Sequence, residues 1–139
     1  MEQWLNTSLK GYKSEEGRRR KKIVFVASMT SFTGSVAYTA SKGAISQLTK
    51  ALNNEWMAKG INVNAIAPGY IETELTSAIK DGGESEMMIR IPAGRWDTPV
   101  DLAGAVIHLC ARSWDYIAGE AHAVDGGHLV RQGLIHLGG

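Results

Sequence analysis

The stretch "GINVNAIAPG", Gly60 to Gly69, reads as a helix stop, a strand and a sharp exit. Gly60 is suited to closing a helix because it takes the left-handed conformation without penalty. "INVNAIA" then forms a strand, and Pro68-Gly69 ends it. Upstream, Ala37 to about Lys59 has helical periodicity, with Ile45, Leu48, Leu52 and Met57 on one side. Before that, "KIVFVAS" from Lys22 is a short β-branched apolar run, the pattern of a strand buried on both faces of a parallel sheet. Downstream, Thr98 or Pro99 opens a second helix, "TPVDLAGAVIHLCA", with Pro near its first position and Asp101 in the first turn. "EAHAVDGG" supplies a third strand and a turn. The order β-α-β-α-β predicts a parallel α/β sheet. Ligands bind such sheets beyond the carboxyl ends of the strands. Ser28, Pro68-Gly69 and Asp125-Gly126 occupy those ends.

The flanks and the bulk composition narrow the function classes. Of 139 residues, 44% are apolar and 21% charged, which excludes a disordered tail and fits one globular core. A net charge of +1 selects no partner. The basic run "RRRKK", Arg18 to Lys22, reads as a solvated lead-in to the first strand rather than a nucleic-acid patch. Residues 1–21 form an irregular polar segment and 22–139 the folded part. Between them the strands leave residues 71–90 for a short helical piece and the polar stretch "KDGGESE". Cys110, the only cysteine, rules out an internal disulfide and lies in an apolar helical pattern that predicts burial. The four histidines have spacings that match no metal motif, so no metal site is expected. No run approaches the ~20 apolar residues of a membrane span. No charged segment followed by an apolar one marks a secretory signal. The expected setting is cytoplasmic.

Tyr38 and Lys42, in "AYTASKGA", stand four residues apart and so share one helical face. A phenol, with its pKa of about 10, exchanges protons poorly at neutral pH, and a cation one turn away favours its ionised form. Such a pair can trade a proton with an alcohol or carbonyl oxygen. The spacing alone equally describes a surface pair on an ordinary helix. Ser28, ending the preceding strand, would add a hydroxyl aimed at the same oxygen.

Together "IVFVASM", "YTASKGAISQLTKAL", "INVNAIAPGYIET", "IPAGRW", "DLAGAV" and "VDGG" resemble the C-terminal portion of the short-chain dehydrogenase/reductase family, from about Lys22 to Arg131. "NEW", "APGYIET" and "RIPAGRW" are similar to its branch acting on sugar acids, the 2-deoxy-D-gluconate 3-dehydrogenases and gluconate 5-dehydrogenases. The resemblance implies half of a Rossmann-type doubly wound sheet and interconversion of a secondary alcohol and a ketone on a small-molecule substrate. It implies NAD or NADP as cofactor. It makes Tyr38 the acid–base residue, Lys42 its helper and a ligand of the nicotinamide ribose, and Ser28 the residue that positions the substrate oxygen. Pro68 and Gly69 would wall the nicotinamide, with Ile71 and Thr73 near its carboxamide. Residues 74–91 would form a lid in which Met87 and Met88 pack on the ligand or on the core.

The sequence also departs from that family. No Gly-rich turn of G-x-x-x-G-x-G type precedes Ser28, so the pyrophosphate-seating turn and the N-terminal strands are expected to be missing. "LNTSLKG" has Ser8 where the family carries the asparagine of its catalytic tetrad. Only "YKSEEGRRRK" then stands where the family has a long helix that contributes to its dimer, leaving a homo-oligomer possible but that helix incomplete. Nine residues separate Ser28 from Tyr38, a shorter run than the family's, so Ser31 or Ser35 stands as an alternative to Ser28. The first strand should therefore lie at an exposed edge. Two functions follow as expectations: an oxidoreductase, or a truncated, non-catalytic remnant or interaction module that binds no dinucleotide.

Overall fold

The computed structural model of the chain describes residues 20–31, 36–76 and 89–130. Strand β1 is Lys21–Val26, helix α1 Val36–Trp56, β2 Ile61–Pro68, helix α2 Pro99–Cys110 and β3 Ala121–Val124. Short 3-10 turns sit at Met29–Ser31, Met57–Lys59, Glu74–Thr76 and Arg112–Trp114. The strands form one parallel sheet in the order β1-β2-β3, with Lys21 opposite Ile61 and Ala65 opposite Ala121. The expected α/β alternation is therefore present.

Each element ends for a local reason. α1 runs into the Met57–Lys59 turn and is closed by Gly60, whose φ of 81° lies in the left-handed region. There its N–H donates to Met57 O at 3.1 Å. At the start of α2, the Asp101 carboxylate accepts the Thr98 N–H and hydroxyl, each at 2.7 Å, and Pro99 fills the first turn. Asp101 also holds the Arg95 guanidinium through two bonds of 2.7 and 2.9 Å. These donors, Arg95 foremost, keep the Asp101 carboxyl well below the usual carboxylate range.

β2 is the core of the sheet, buried from Asn62 through Pro68. On one side Ala65 and Ala67 pack with Ala27, Phe25 and Ala121 against Ile45 of α1. Along the same strand, Asn62 and Asn64 grip the loop that leads into β3. Asn62 donates to Asp115 O and Ile117 O, and Asn64 to Ile117 O and to Asn62 Oδ1. Asn64 Oδ1 accepts the Glu120 N–H at 3.0 Å. Lys22 adds an ion pair to Asp115 at 2.7 Å. The basic run thus serves the fold where it is described: Arg20 likewise donates to Met57 O.

Three expectations need correction. β1 is only half-buried, with Val26 54% exposed, because it pairs with β2 on one side alone among the described residues. On α1 the buried side chains are Ser46 and Thr49, while Leu48 is exposed. A sheet face made of alanines lets the helix approach closely, and small residues fit there. Thr49 answers its burial by donating to Ile45 O at 2.8 Å. Cys110 is exposed, since Leu109 takes the inward position at that end of α2.

Candidate active site

Ser28 lies two residues beyond β1, buried, in the segment that turns into Met29–Ser31. α1 packs against that turn and so brings its first turns to the carboxyl end of β1. Lys42 reaches across and donates from Nζ to Val26 O at 3.3 Å, two residues before Ser28. The same ammonium stands 5.8 Å from the centre of the Tyr38 ring, within cation–π reach. Tyr38 is 49% exposed, so a ligand has access to it. Lys42 therefore links the carboxyl end of β1, which Ser28 follows by two residues, to the tyrosine. Ser35 lies outside the described residues, as does the side chain of Ser31.

Pro68 is buried at the end of β2, and Gly69 follows with its N–H on Val124 O at 2.8 Å. A Cβ at Gly69 would come within 2.8 Å of Asp125 Cα, so the glycine is required by the close approach of the β2 and β3 ends. Ile71 and Thr73 are tied by Thr76, whose hydroxyl donates to Ile71 O at 2.6 Å and accepts the Thr73 N–H at 3.0 Å. Thr73 is exposed. Residues 77–88, most of the expected lid, together with Met87 and Met88, lie outside the described residues.

The "VDGG" turn does more than end a strand. Buried Asp125 accepts the Gly127 and Leu129 N–H groups, each at 2.9 Å. Gly126 and Gly127 then adopt φ of 60° and 90°. A Cβ on Gly126 would meet Ala93 and Ile91 at 2.9 Å, and Ala93 N donates to Gly126 O. "IPAGRW" is thereby seated on the end of β3. Sequence reading missed Asp125 as a turn organiser, although an Asp directly before Gly-Gly is the signal for one.

Asp97 was missed as well. Its N–H donates to Tyr70 O at 2.9 Å and its carbonyl accepts the Glu72 N–H at 2.8 Å, closing a parallel bridge with Ile71. The carboxyl is buried, and Oδ2 has no partner among the described residues. Burial first, then repulsion from Asp101, raises its pKa above the ordinary value; Arg95 opposes this and Asp125 adds to it. The native state then holds this proton more tightly than the unfolded chain. Stability from that proton is present at acid pH and lost as pH rises from about 4 through the raised native value. Asp97→Asn should accordingly raise the stability of the chain at pH 7, with the gain shrinking toward acid. Urea unfolding at several pH values checks this, and destabilisation at neutral pH would contradict it.

Among the described residues no group of three His, Cys, Asp or Glu that could hold a metal ion occurs. His108 and His122 flank Trp114, with ring centres at 4.0 and 5.3 Å.

A family model described as Enoyl-(Acyl carrier protein) reductase matches residues 13–128. The chain belongs to the short-chain dehydrogenase/reductase family. Among curated members, it is 49% identical over 119 residues to the 2-dehydro-3-deoxy-D-gluconate 5-dehydrogenase of Bacillus subtilis, covering 82% of this chain and 47% of that protein. The Pseudoalteromonas atlantica enzyme of the same name is 47% identical with the same coverage. A solved structure from Agrobacterium tumefaciens with bound NADP superposes with a TM-score of 0.77 at 49% identity, over 82% of this chain and 48% of that one. The gluconate 5-dehydrogenase of Burkholderia cenocepacia, in complex with NADP and tartrate, gives 0.78 at 36% identity, over 81% and 46%. The chain spans about half the length of the curated relatives it matches. Its sheet is thus part of a Rossmann-type doubly wound fold, in the family that the motifs resembled.

Proposed function

We propose that this chain carries the acid–base end of an NAD(P)-dependent oxidoreductase that interconverts a secondary alcohol and a ketone on a sugar acid. The observation that carries the reading is Lys42 at the carboxyl end of β1, bonded to Val26 O two residues before Ser28 and 5.8 Å from the centre of the Tyr38 ring. Relatives named for sugar-acid oxidation and neighbours solved with NADP support the substrate class and the cofactor.

The donor set fits the nicotinamide-ribose end of a dinucleotide. Lys42 offers an ammonium to ribose hydroxyls, and Pro68, Gly69, Ile71 and Thr73 stand at the neighbouring strand end to border the ring. When bound, the cofactor supplies the hydride acceptor or donor. The protein's residues handle the oxygen: Tyr38 takes or gives its proton, and Ser28 holds it by a hydrogen bond. A second reading, a family member portion that binds no dinucleotide, is favoured by one observation. Among the described residues no Gly-rich turn opens a helix, so none of them seats the pyrophosphate.

Titrating the purified chain with NADPH and NADH, followed by calorimetry, separates the two readings. Saturable binding is expected. Its absence at millimolar cofactor would establish the non-catalytic reading.

A further inference from the structure

Among the described residues, a single neighbour holds the Ser28 hydroxyl. Its Oγ accepts the Thr30 N–H at 3.2 Å and the Thr30 hydroxyl at 2.9 Å. A serine hydroxyl has two acceptor lone pairs and one proton. Both acceptor positions are therefore filled from Thr30, and only the proton remains to be given.

We infer that Thr30 is a positioning residue for the proposed reaction: it fixes the Ser28 hydroxyl as an obligate hydrogen-bond donor to the substrate oxygen. The inference rests on the dehydrogenase reading of the site. A ketone oxygen only accepts, so a donor-only serine matches it. An alcohol both donates and accepts. With the lone pairs of Ser28 occupied, the alcohol cannot give its proton to the serine, and the Tyr38 oxygen is left as its acceptor. Thr30 thus sets the direction in which the proton travels without touching substrate. Donation into Ser28 Oγ also polarises its O–H and strengthens the bond that it gives. Met29, between the two residues, is buried and pins the turn that brings Thr30 back onto Ser28.

The sequence held the ingredients in "ASMTS", a serine and a threonine two apart just past a strand. That spacing is common, and only the turn at Met29–Ser31 folds one hydroxyl onto the other.

Two measurements on the full chain test this. The first needs no turnover: amide hydrogen exchange at residue 30. Ser28→Ala removes the acceptor, and exchange of the Thr30 amide should quicken about tenfold, the worth of one ordinary hydrogen bond. An unchanged rate overturns the inference. The second uses D-gluconate with NADP. Thr30→Val keeps the N–H and the shape but loses the hydroxyl. It should lower kcat about tenfold with the KM for NADP unchanged, and Thr30→Ser should restore kcat to within about twofold. In a Ser28→Ala background, Thr30→Val should cost nothing more. An equal loss in both backgrounds, or an unaltered kcat in Thr30→Val, overturns the inference. A chain inactive in every variant refutes the dehydrogenase reading instead, while a response of the Thr30 amide to Ser28→Ala still supports Thr30 as the group that holds Ser28.

Discussion

Tyr38→Phe is expected to lower turnover of the proposed alcohol–ketone interconversion by about 10²–10⁴-fold, the range for loss of a positioned general acid or base. NADPH affinity should change by no more than about twofold in the same variant. Phe keeps the ring that lies 5.8 Å from Lys42 Nζ and removes only the oxygen. The ammonium also keeps its bond to Val26 O, so the geometry around β1 survives the change. Ser28 cannot replace the tyrosine, because both of its acceptor positions are taken by Thr30. The split between turnover and cofactor binding is what distinguishes proton transfer from a packing role. A variant that retains activity would refute the acid–base assignment. A variant that loses both together, with a lowered melting temperature, would show Tyr38 to be structural. Its 49% exposure argues against the latter, since a half-exposed ring contributes little to a core.

How far the sequence could be read depended on whether a feature was local. The α2 start was legible because Thr98, Pro99 and Asp101 act within one turn. Gly60 was legible for the same reason, as was the tyrosine–lysine pair on one face of α1. Arrangements made by the tertiary fold were not. Leu48 belongs to the apolar stripe of α1 by spacing, yet it is exposed, while Ser46 and Thr49 are the side chains buried on that helix. Cys110 has an apolar neighbourhood in sequence and faces solvent in space. The carboxyl of Asp97 and the turn-building role of Asp125 depend on segments far apart in the chain, the β2 exit and the end of β3. Gly69 shows the limit best. Its motif suggested a cofactor wall, whereas the distance to Asp125 gives it a structural necessity of its own.

The largest stability effect should come from Asn64→Asp, for which a loss of about 3–5 kcal/mol at neutral pH is expected, as for a buried charge left without a partner. Asn64 is 1% exposed at the middle of β2. Its Nδ2 gives two bonds, to Ile117 O at 2.9 Å and Asn62 Oδ1 at 2.6 Å, and both partners are acceptors. Aspartate has the same shape and keeps the acceptor for the Glu120 N–H, but it turns an oxygen toward those two acceptors. The sign of the pH dependence follows. The new carboxyl would be protonated more readily in the native chain than in the unfolded one, so part of the deficit should be recovered as pH falls toward about 4. Asn64→Ala provides the control, with a deficit that does not change with pH. Urea unfolding of the three proteins at pH 5 and 7.5 decides the matter, and a pH-independent deficit in Asn64→Asp would refute the assignment. The consequence reaches the site through the register of β3. Asn64 fixes Glu120, whose carbonyl accepts the Ala65 N–H at the start of the β2–β3 ladder. That ladder places Val124 on Gly69 and Asp125 against it. A buried amide on the central strand thus sets where the strand ends that border the proposed nicotinamide position come to lie.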